Sequence, residues 1–262
     1  MPKLYRAIAE YYDHENEHHA VLRQDVPFFL GQMPSRPRRQ AVLELAVGTG
    51  RAAIPIAQAG HRVVGVDYAA DMLEIAQRKR DAVGLGDAEL SLARGDLLRP
   101  RYDLGARFDW VCVFFNSFLG FPTLEQQDRV LGFARRHLKP RGRFWVDVFQ
   151  PDPSVLARPV SRGMEPTLFH VPRFGRSVLK TTDIRQSPES QVQRVTFHYT
   201  WLDEHGVTRR ERTEFDGTYI FPRELRILLE RNGLTVEHLW GNYDGSPLGA
   251  NSPRMIARCC RA

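Results

Sequence analysis

Short apolar runs alternate with amphipathic segments from about residue 41 to about residue 150. The apolar runs predict strands at 41–46, 62–67, 88–93, 108–115 and 142–149. The segments between them have apolar residues at helical spacing and predict helices at 51–59, 70–82 and 124–138. Strands that alternate with helices in this way are typical of an α/β fold with a parallel sheet.

The pattern changes between residues 150 and 220, where apolar and polar positions alternate one by one. Residues 177–185 and 192–202 show this alternation most clearly, and the Asp-Glu-His-Gly sequence at 203–206 predicts a turn after the second of them. Such alternation is typical of half-buried antiparallel strands. We therefore predict that residues 150–220 form an inserted antiparallel sheet of three or four strands.

The two ends of the chain complete the predicted organisation. After the insertion, the pattern predicts a helix at 221–232, closed by Gly233, and strands at 234–242 and 253–260. Residues 1–38 predict an N-terminal helical cover. Since no Gly/Ser/Pro-rich linker isolates any of these parts, we predict a single domain over residues 1–262.

The strongest chemical signal lies at the end of the first predicted strand. There the chain runs through Glu44 and Ala46 into a turn containing Gly48 and Gly50, and a helix follows. The second predicted strand ends in a carboxylate, Asp67. Glycines let the backbone approach a ligand closely, and an acid after the second strand can hold both hydroxyls of a ribose. This unit predicts a site for an adenosine-containing cofactor.

Two kinds of cofactor use such a unit. A nicotinamide nucleotide needs Gly-x-Gly-x-x-Gly or Ala, which Gly48, Gly50 and Ala53 satisfy, together with Asp67. However, Glu44 would repel a pyrophosphate, whereas it suits a cofactor that carries an ammonium and a sulfonium. An oxidoreductase would also need a proton donor, and the chain has no Tyr-x-x-x-Lys pair. A third alternative is a non-catalytic module that binds a cofactor and a partner protein.

The segment Glu-Leu-Ala-Val-Gly-Thr-Gly-Arg, residues 44–51, resembles the first motif of the class I S-adenosylmethionine-dependent methyltransferases. Ala46 stands where that family usually has glycine. Residues 63–74, 90–97, 107–118 and 137–144 resemble the four motifs that follow, in the family's order. The resemblance implies a Rossmann-like seven-stranded sheet whose last strand is antiparallel, and the inserted sheet would then form a roof over the ligand side.

The resemblance also implies which residues bind S-adenosylmethionine. Asp67 would take the ribose hydroxyls, and the second, third and fourth motifs would supply residues around the adenine and the methionine moiety. The implied cofactor-binding residues are Tyr11, Glu44, Ala46, Gly48, Thr49, Gly50, Arg51, Asp67, Tyr68, Met72, Asp96, Leu97, Phe114 and Phe115.

Two residues are candidates for the acceptor side of the reaction. Asn116 follows the apolar end of the fourth strand and would orient the acceptor through its amide. Tyr12 would cap the site from above, because in this family an N-terminal Tyr-Asp pair often closes over the cofactor. Packing of Tyr11 and Tyr12 on the sheet, and a turn-capping role for Asn116, are the structural alternatives. Methyl transfer chiefly requires alignment of the reacting atoms, so neither a catalytic triad nor a metal is expected.

Composition and charge limit the partners. The net charge is +6, but the 37 basic residues, 4 of them Lys, are spread along the chain and cluster only at 35–39. This distribution argues against nucleic acid as a partner, since a nucleic-acid site concentrates charge on one face. No apolar run is long enough to span a membrane, no signal core is present, and the three cysteines have no metal spacing. We predict a cytoplasmic monomer or homodimer that methylates an N or O atom of a small molecule.

Overall fold

The structure of the protein is a computed structural model that describes residues 2–17, 19–34 and 39–262, with side chains from Ile8 onward. Most of the basic segment predicted at 35–39, residues 35–38, lies outside the described residues, as does His18. The glycine turn, Asp67 and the whole inserted segment lie within the described residues.

The order of helices and strands follows the predicted alternation. The helices are α1 (Pro2–Asn16), α2 (Asp25–Gly31), α3 (Ala53–Gln58), α4 (Ala70–Ala82), α5 (Leu124–His137), α6 (Pro153–Leu156) and α7 (Pro222–Arg231). The strands are β1 (Ala41–Leu45), β2 (Arg62–Asp67), β3 (Leu90–Arg94), β4 (Phe108–Val113), β5 (Leu138–Phe149), β6 (Val160–Val171), β7 (Arg176–Ser187), β8 (Val192–Leu202), β9 (Thr208–Thr218), β10 (Leu234–Trp240) and β11 (Arg254–Arg261).

Seven of the strands form one mixed sheet in the order β10-β11-β5-β4-β1-β2-β3. The pairs β1–β2, β1–β4, β2–β3 and β4–β5 are parallel, whereas β11 runs antiparallel to both β5 and β10. The predicted fold class, a seven-stranded Rossmann-like sheet with an antiparallel last strand, is confirmed. The carboxyl ends of β1, β2 and β4 lie side by side, which brings their following turns together at one edge.

Two predicted boundaries differ from the structure for local backbone reasons. β4 ends at Val113 rather than at 115, because Phe115 and Asn116 have positive φ angles of 45° and 63° that no strand accommodates. α3 begins at Ala53 rather than at 51, because the chain first passes through Gly50 at φ 74°. Both differences fall at the turns that face the ligand edge of the sheet.

Apolar side chains cover both faces of this sheet. On one face, α5 and α7 contribute Phe133 and Leu228 to a cluster with the strands. On the other face, Phe29 of α2 and Ile56 of α3 are fully buried, and the Phe29 ring meets Trp145 edge to face at 5.3 Å. Full burial of such a side chain stabilises the fold by about 1.5–3 kcal/mol. The sheet is therefore a rigid support for the turns at its edge.

The strands β6, β7, β8 and β9 form a second, four-stranded antiparallel sheet, which we call the roof (residues 160–218). The predicted inserted antiparallel sheet is thus confirmed. The roof packs on α1 and α4 through an apolar cluster that includes Tyr11, Met72, Phe169 and Tyr199. β9 also contacts the short helix Ser117–Gly120, which follows β4. The roof is thereby held against the edge where β4 ends.

Within the described ranges, no helix is both long enough and apolar enough to cross a membrane.

Candidate active site

The turn after β1, residues 46–50, passes through three left-handed backbone positions. Ala46, Gly48 and Gly50 have φ angles of 56°, 54° and 74°. A Cβ placed on Gly48 would meet no atom within 4 Å, so its glycine is not required by packing against protein. The turn instead leaves open space beside its backbone. Such a space, which a side chain would fill, fits the close approach of a ligand.

Asp67 ends β2 and holds this turn in place. Its Oδ2 accepts a hydrogen bond from Gly48 N at 2.8 Å, and its Oδ1 accepts one from Ala69 N at 2.9 Å. Burial raises the pKa of this carboxyl, and the backbone N–H donors oppose that shift. The backbone N–H of Tyr68 also acts on this carboxylate. A carboxylate has about four lone-pair sites, so Asp67 can still accept from a ribose. The predicted glycine turn and the predicted acid after the second strand are therefore joined by a hydrogen bond.

Glu44 lies beneath the turn with only 3% of its surface exposed. One oxygen accepts from the backbone N–H of Ala53, while Oε2 has no hydrogen-bond partner among the described residues. Burial raises the pKa of Glu44 to about 8, although Arg51 acts in the opposite direction. An unsatisfied buried acceptor is costly unless a donor reaches it. This orphaned oxygen fits a ligand that brings an ammonium or a sulfonium to the crevice, and it does not fit a pyrophosphate.

Two polar residues of the glycine turn are engaged by the N-terminal cover. Arg51 forms a two-pronged ion pair with the fully buried Asp25 of α2, with N–O distances of 2.5 and 3.1 Å. Thr49 donates to Asp13 of α1 at 2.7 Å, and Lys79 of α4 pairs with the other oxygen of Asp13, also at 2.7 Å. The N-terminal cover is therefore held to the turn by an ion pair and a hydrogen bond. The predicted roles of Thr49 and Arg51 as cofactor ligands stay predictions.

The residues predicted around the adenine lie at the ends of β2 and β3. Tyr68 directly follows Asp67 and is half-buried, and Met72 is buried in the cluster under the roof. Asp96 lies beyond β3 with 48% of its side chain exposed, and its Oδ1 accepts from Leu98 N. Leu97 is buried in the core beneath it. Tyr68 and Asp96 thus follow the paired strands β2 and β3, whereas Met72 of α4 and Leu97 are buried in apolar clusters. The roles of all four toward the adenine stay predictions.

The chain beyond β4 turns sharply in front of β5. Phe114 is buried against Phe29, with ring centroids 5.1 Å apart, so it lies in the core below the crevice. Phe115 is half-buried, and its N–H donates to Asp147 Oδ2 at 3.1 Å. Asn116 Oδ1 accepts from Phe149 N at 2.8 Å, which fixes the end of β5. The carbonyl of the Asn116 amide is thus already used within the protein, and its role toward an acceptor stays a prediction.

The two adjacent tyrosines of α1 both pack in the apolar cluster under the roof, but they differ in burial and in their polar partners. Tyr11 is buried against the rings of Phe169 and Tyr199, and its hydroxyl accepts from Arg176 at 2.5 Å. Its described contacts join α1 to the roof rather than to the glycine turn, and the predicted ligand that shares its apolar cluster is Met72. Tyr12 is half-buried and acts electrostatically on Arg51. Tyr12 therefore lies nearer the crevice than Tyr11.

Three charged residues that shape the crevice, Asp25, Asp147 and Arg254, were not predicted as site residues. Asp25 pairs with Arg51, and Asp147 pairs with Arg254, whose Nε lies 2.9 Å from Asp147 Oδ1. Both carboxylates are fully buried, and Arg254 is 4% exposed. The guanidinium carbons of Arg51 and Arg254 lie 5.8 and 5.9 Å from the Phe115 ring centroid. Asp25 and Asp147 are isolated acids in apolar sequence, and this was the available signal that they are buried and paired. Their basic partners are distant in the chain, so the sequence did not show which residues pair with them.

A separate hollow of about 350 Å³ lies between α1 and α4. Its lining includes Glu10 and Arg78, which pair with each other at 3.1 Å, and Asp13 and Lys79, which form the pair described above. Its charges are thus satisfied within the protein, and it is distinct from the glycine turn. Within the described part of the chain, no group of His, Cys, Asp and Glu side chains is arranged to hold a metal ion.

Comparisons with known proteins agree with this geometry. A family model described as a methyltransferase domain matches residues 42–142. The cypemycin N-terminal methyltransferase of a Streptomyces species is 27% identical over 83% of this chain and 81% of its own. The dTDP-3-amino-3,6-dideoxy-alpha-D-glucopyranose N,N-dimethyltransferase of Streptomyces fradiae is 27% identical over 83% of this chain and 78% of its own.

Solved structures share the fold over almost the whole chain. The CcbJ methyltransferase from Streptomyces caelestis superposes with a TM-score of 0.79 at 24% identity, covering 97% of this chain and 96% of that one. The match to the methyltransferase model covers the strand that carries Glu44, the glycine turn and Asp67. The chain is a class I S-adenosylmethionine-dependent methyltransferase, and S-adenosylmethionine is its cofactor.

Proposed function

We propose that this enzyme transfers the methyl group to an amino nitrogen of a small molecule. The observation that carries the proposal is the balance of charge at the crevice. The three cations that act on His19, beside the Phe115 ring, are each matched by a carboxylate: Arg51 by Asp25, Arg254 by Asp147, and Lys180 of the roof by Glu15 at 3.0 Å. Glu165 of the roof, by contrast, is exposed and has no ion-pair partner among the described residues. A site whose unmatched group is an acid favours a cationic acceptor such as an ammonium.

The same charge balance suits the cofactor. Asp67 would hold the ribose hydroxyls, and Glu44 with the backbone of Gly48 would face the methionine end. When bound, S-adenosylmethionine supplies a methyl carbon activated by a positively charged sulfur. The residues of the chain then have three tasks: to hold the acceptor in line, to exclude water and to leave a lone pair on the acceptor atom.

The cover and the roof are suited to the first two tasks. α1 is fastened to the glycine turn through Asp13 and to the roof through Tyr11. Tyr12 and Asn116 are the residues that we propose to line the acceptor side, because they flank Phe115 and Arg51 at the mouth of the crevice. Access of water to the reacting atoms would be limited by the roof above and by the cover at the side.

The relatives support an amino nitrogen as the methyl acceptor. One is named as an N-terminal methyltransferase and another as a dimethyltransferase of an amino sugar nucleotide. These names concern different acceptors, a peptide end and a sugar, that share an aliphatic amine. We therefore propose the amine as the recognised group and leave the remainder of the acceptor to be identified by assay. A small-molecule acceptor, no nucleic-acid partner and a monomer or homodimer complete the proposal.

The test compares matched pairs of acceptors. Purified enzyme is incubated with methyl-labelled S-adenosylmethionine and dTDP-3-amino-3,6-dideoxyglucose, or with the 3-hydroxy sugar nucleotide of otherwise equal structure. A second pair is a short peptide with a free N-terminus and its N-acetylated form. We expect label and a mass gain of one methylene per transfer only in the amine members. Methylation of the hydroxy or acetylated members at equal rates would overturn the proposal, and fragmentation of the product locates the methylated atom.

A further inference from the structure

His19 lies where the N-terminal cover, the ligand edge of the sheet and the roof meet. Its ring contacts the Phe115 ring edge to face, with centroids 5.3 Å apart and planes at 78°. Its backbone N–H donates to Asn16 O and its carbonyl accepts from Leu22 N, so the residue is fixed between α1 and the next helical turn. No described residue forms a hydrogen bond to its ring nitrogens. The imidazole is thus held at the crevice mouth with its polar atoms uncommitted.

Glu165, on β6 of the roof, acts electrostatically on the His19 ring. β6 is irregular here, because Met164 pairs with Thr182 and Thr167 pairs with Lys180, so two residues of β6 oppose one of β7. This is a β-bulge, and Glu165 within it has a φ angle of 50°, an uncommon conformation for a residue other than glycine. Bulges redirect side chains and recur beside active sites. The Glu165 side chain is exposed and has no ion-pair partner among the described residues.

Four charges act on the His19 ring, one from each surrounding element. Glu165 comes from β6, Lys180 from β7, Arg51 from the turn after β1 and Arg254 from β11. The pKa of His19 is lowered from 6.5, mainly by burial and further by the three cations, while Glu165 opposes the shift. The imidazole is therefore neutral near pH 7 and can accept a hydrogen bond. Since the three cations are already paired, Glu165 is the unmatched charge of this group.

We propose that His19 and Glu165 form the subsite that binds the amino group of the acceptor. This inference rests on the proposed function, because it assigns residues to the amine of that reaction. The Glu165 carboxylate compensates the charge of the ammonium, and a ring nitrogen of His19 accepts one of its N–H bonds. Phe115, against which His19 packs, supplies an apolar surface for the carbon atoms next to the amine.

The subsite also accounts for the proton that methylation must remove. An ammonium has no lone pair, so one N–H bond must break with its electron pair left on the acceptor nitrogen. The proton forms a new N–H bond on the His19 ring, which is exposed and passes it to water. The freed pair then forms the N–C bond as the bond between the methyl carbon and sulfur breaks, its electrons staying on sulfur. The products are a methylated ammonium, a neutral thioether and one proton in solution.

The first experiment measures binding without turnover. The imidazole resonances of His19 are followed by NMR in the complex with S-adenosylhomocysteine while methylammonium chloride is added, with sodium chloride as the ionic control. His61, whose pKa is also lowered by burial but which lies at the start of β2, is the internal reference. We expect saturable shifts at His19 only, and about tenfold weaker binding in Glu165→Gln, since a charged hydrogen-bond partner is lost. Equal responses of His19 and His61 would overturn the proposal.

The second experiment uses an amine that the wild-type enzyme methylates. Glu165→Gln should raise the KM for the amine with little change in the KM for S-adenosylmethionine, whereas Glu204→Gln at the distant roof turn should change neither. In the wild type, the KM for the amine should rise as the pH falls through the pKa of His19, because a protonated ring repels the ammonium. His19→Asn, whose amide does not titrate, should lose this dependence.

The outcomes separate the two proposals. If the wild-type enzyme methylates hydroxyl acceptors but no amines, the proposed function fails whatever the variants do. If amines are methylated and both variants retain the wild-type KM and pH profile, the subsite proposal fails and the proposed function stands.

Discussion

The backbone N–H of Gly48 donates to Asp67 Oδ2 at 2.8 Å, so the turn after β1 and the acid after β2 form one unit. These residues are 19 positions apart and belong to different motifs of the sequence. Their hydrogen bond means that the carboxylate which faces the crevice also sets the shape of the turn. Changes at either residue are therefore expected to act on the same ligand.

Replacement of Asp67 by Ala should weaken binding of S-adenosylhomocysteine. Loss of charge-assisted hydrogen bonds to two ribose hydroxyls costs about 1.5–3 kcal/mol of binding free energy. Isothermal titration calorimetry measures this directly. Asp216→Ala, which removes an exposed roof carboxylate paired with Arg194, is the matched control and should bind like the wild type. Unchanged affinity of Asp67→Ala would remove Asp67 from the cofactor site.

Replacement of Gly48 by Val should abolish cofactor binding while the protein remains folded. The new side chain would occupy the open space beside the turn. It would also impose left-handed strain of about 1–2 kcal/mol, so a control with equal strain is required. Gly105→Val provides it, because Gly105 has a φ angle of 63° and equally open surroundings at the opposite end of the sheet. Both variants should lose similar stability in urea unfolding, and only Gly48→Val should lose binding.

Replacement of Ala46 by Gly should stabilise the enzyme. Ala46 has a φ angle of 56°, which costs an L-residue about 1–2 kcal/mol relative to glycine. The gain is reduced by the greater chain entropy of unfolded glycine, so we expect an increase in unfolding free energy of about 0.5–1 kcal/mol. Ala82→Gly in the last turn of α4 is the control. Because the backbone of Ala82 is helical, glycine at this position should lower the unfolding free energy. A destabilised Ala46→Gly would show that the methyl group packs favourably enough to offset the strain.

The pH dependence of stability should carry a contribution from Glu44. Its pKa rises from the ordinary 4.5 to about 8 on folding, so between these values the folded state binds more protons than the unfolded state. Stability therefore falls as the pH rises through this window, and the contribution is constant below pH 4.5. In Glu44→Gln, the fall between about pH 4.5 and 8 should be smaller, as measured by urea unfolding at several pH values. The exposed Glu204→Gln should keep the wild-type slope.

Local features of the sequence were sufficient to predict much of the fold. The βαβ unit, the glycine turn and Asp67 depend on periodicity and on residues within one motif. The ion pairs of Arg51 with Asp25 and of Arg254 with Asp147 join residues 26 and 107 positions apart, so their formation depends on the tertiary fold. Tyr11 and Tyr12 show a further limit. Neighbouring helical residues point about 100° apart, and two aromatic residues give no signal of which one faces the roof.

The last prediction concerns Asn116, whose side chain holds Phe149 N and whose backbone is left-handed with a φ angle of 63°. Asn116→Gly is the cleanest variant, because glycine accepts this backbone conformation and removes only the amide. If Asn116 orients the acceptor, turnover depends on alignment and should fall by up to about 100-fold, while affinity for S-adenosylhomocysteine stays within about twofold. Single-turnover kinetics and calorimetry measure the two quantities. Asn232→Gly, which removes an amide that pairs with Asp128 at the end of α7, controls for loss of an asparagine elsewhere. Equal loss of cofactor affinity and turnover in Asn116→Gly would instead assign Asn116 to shaping the cofactor site through β5.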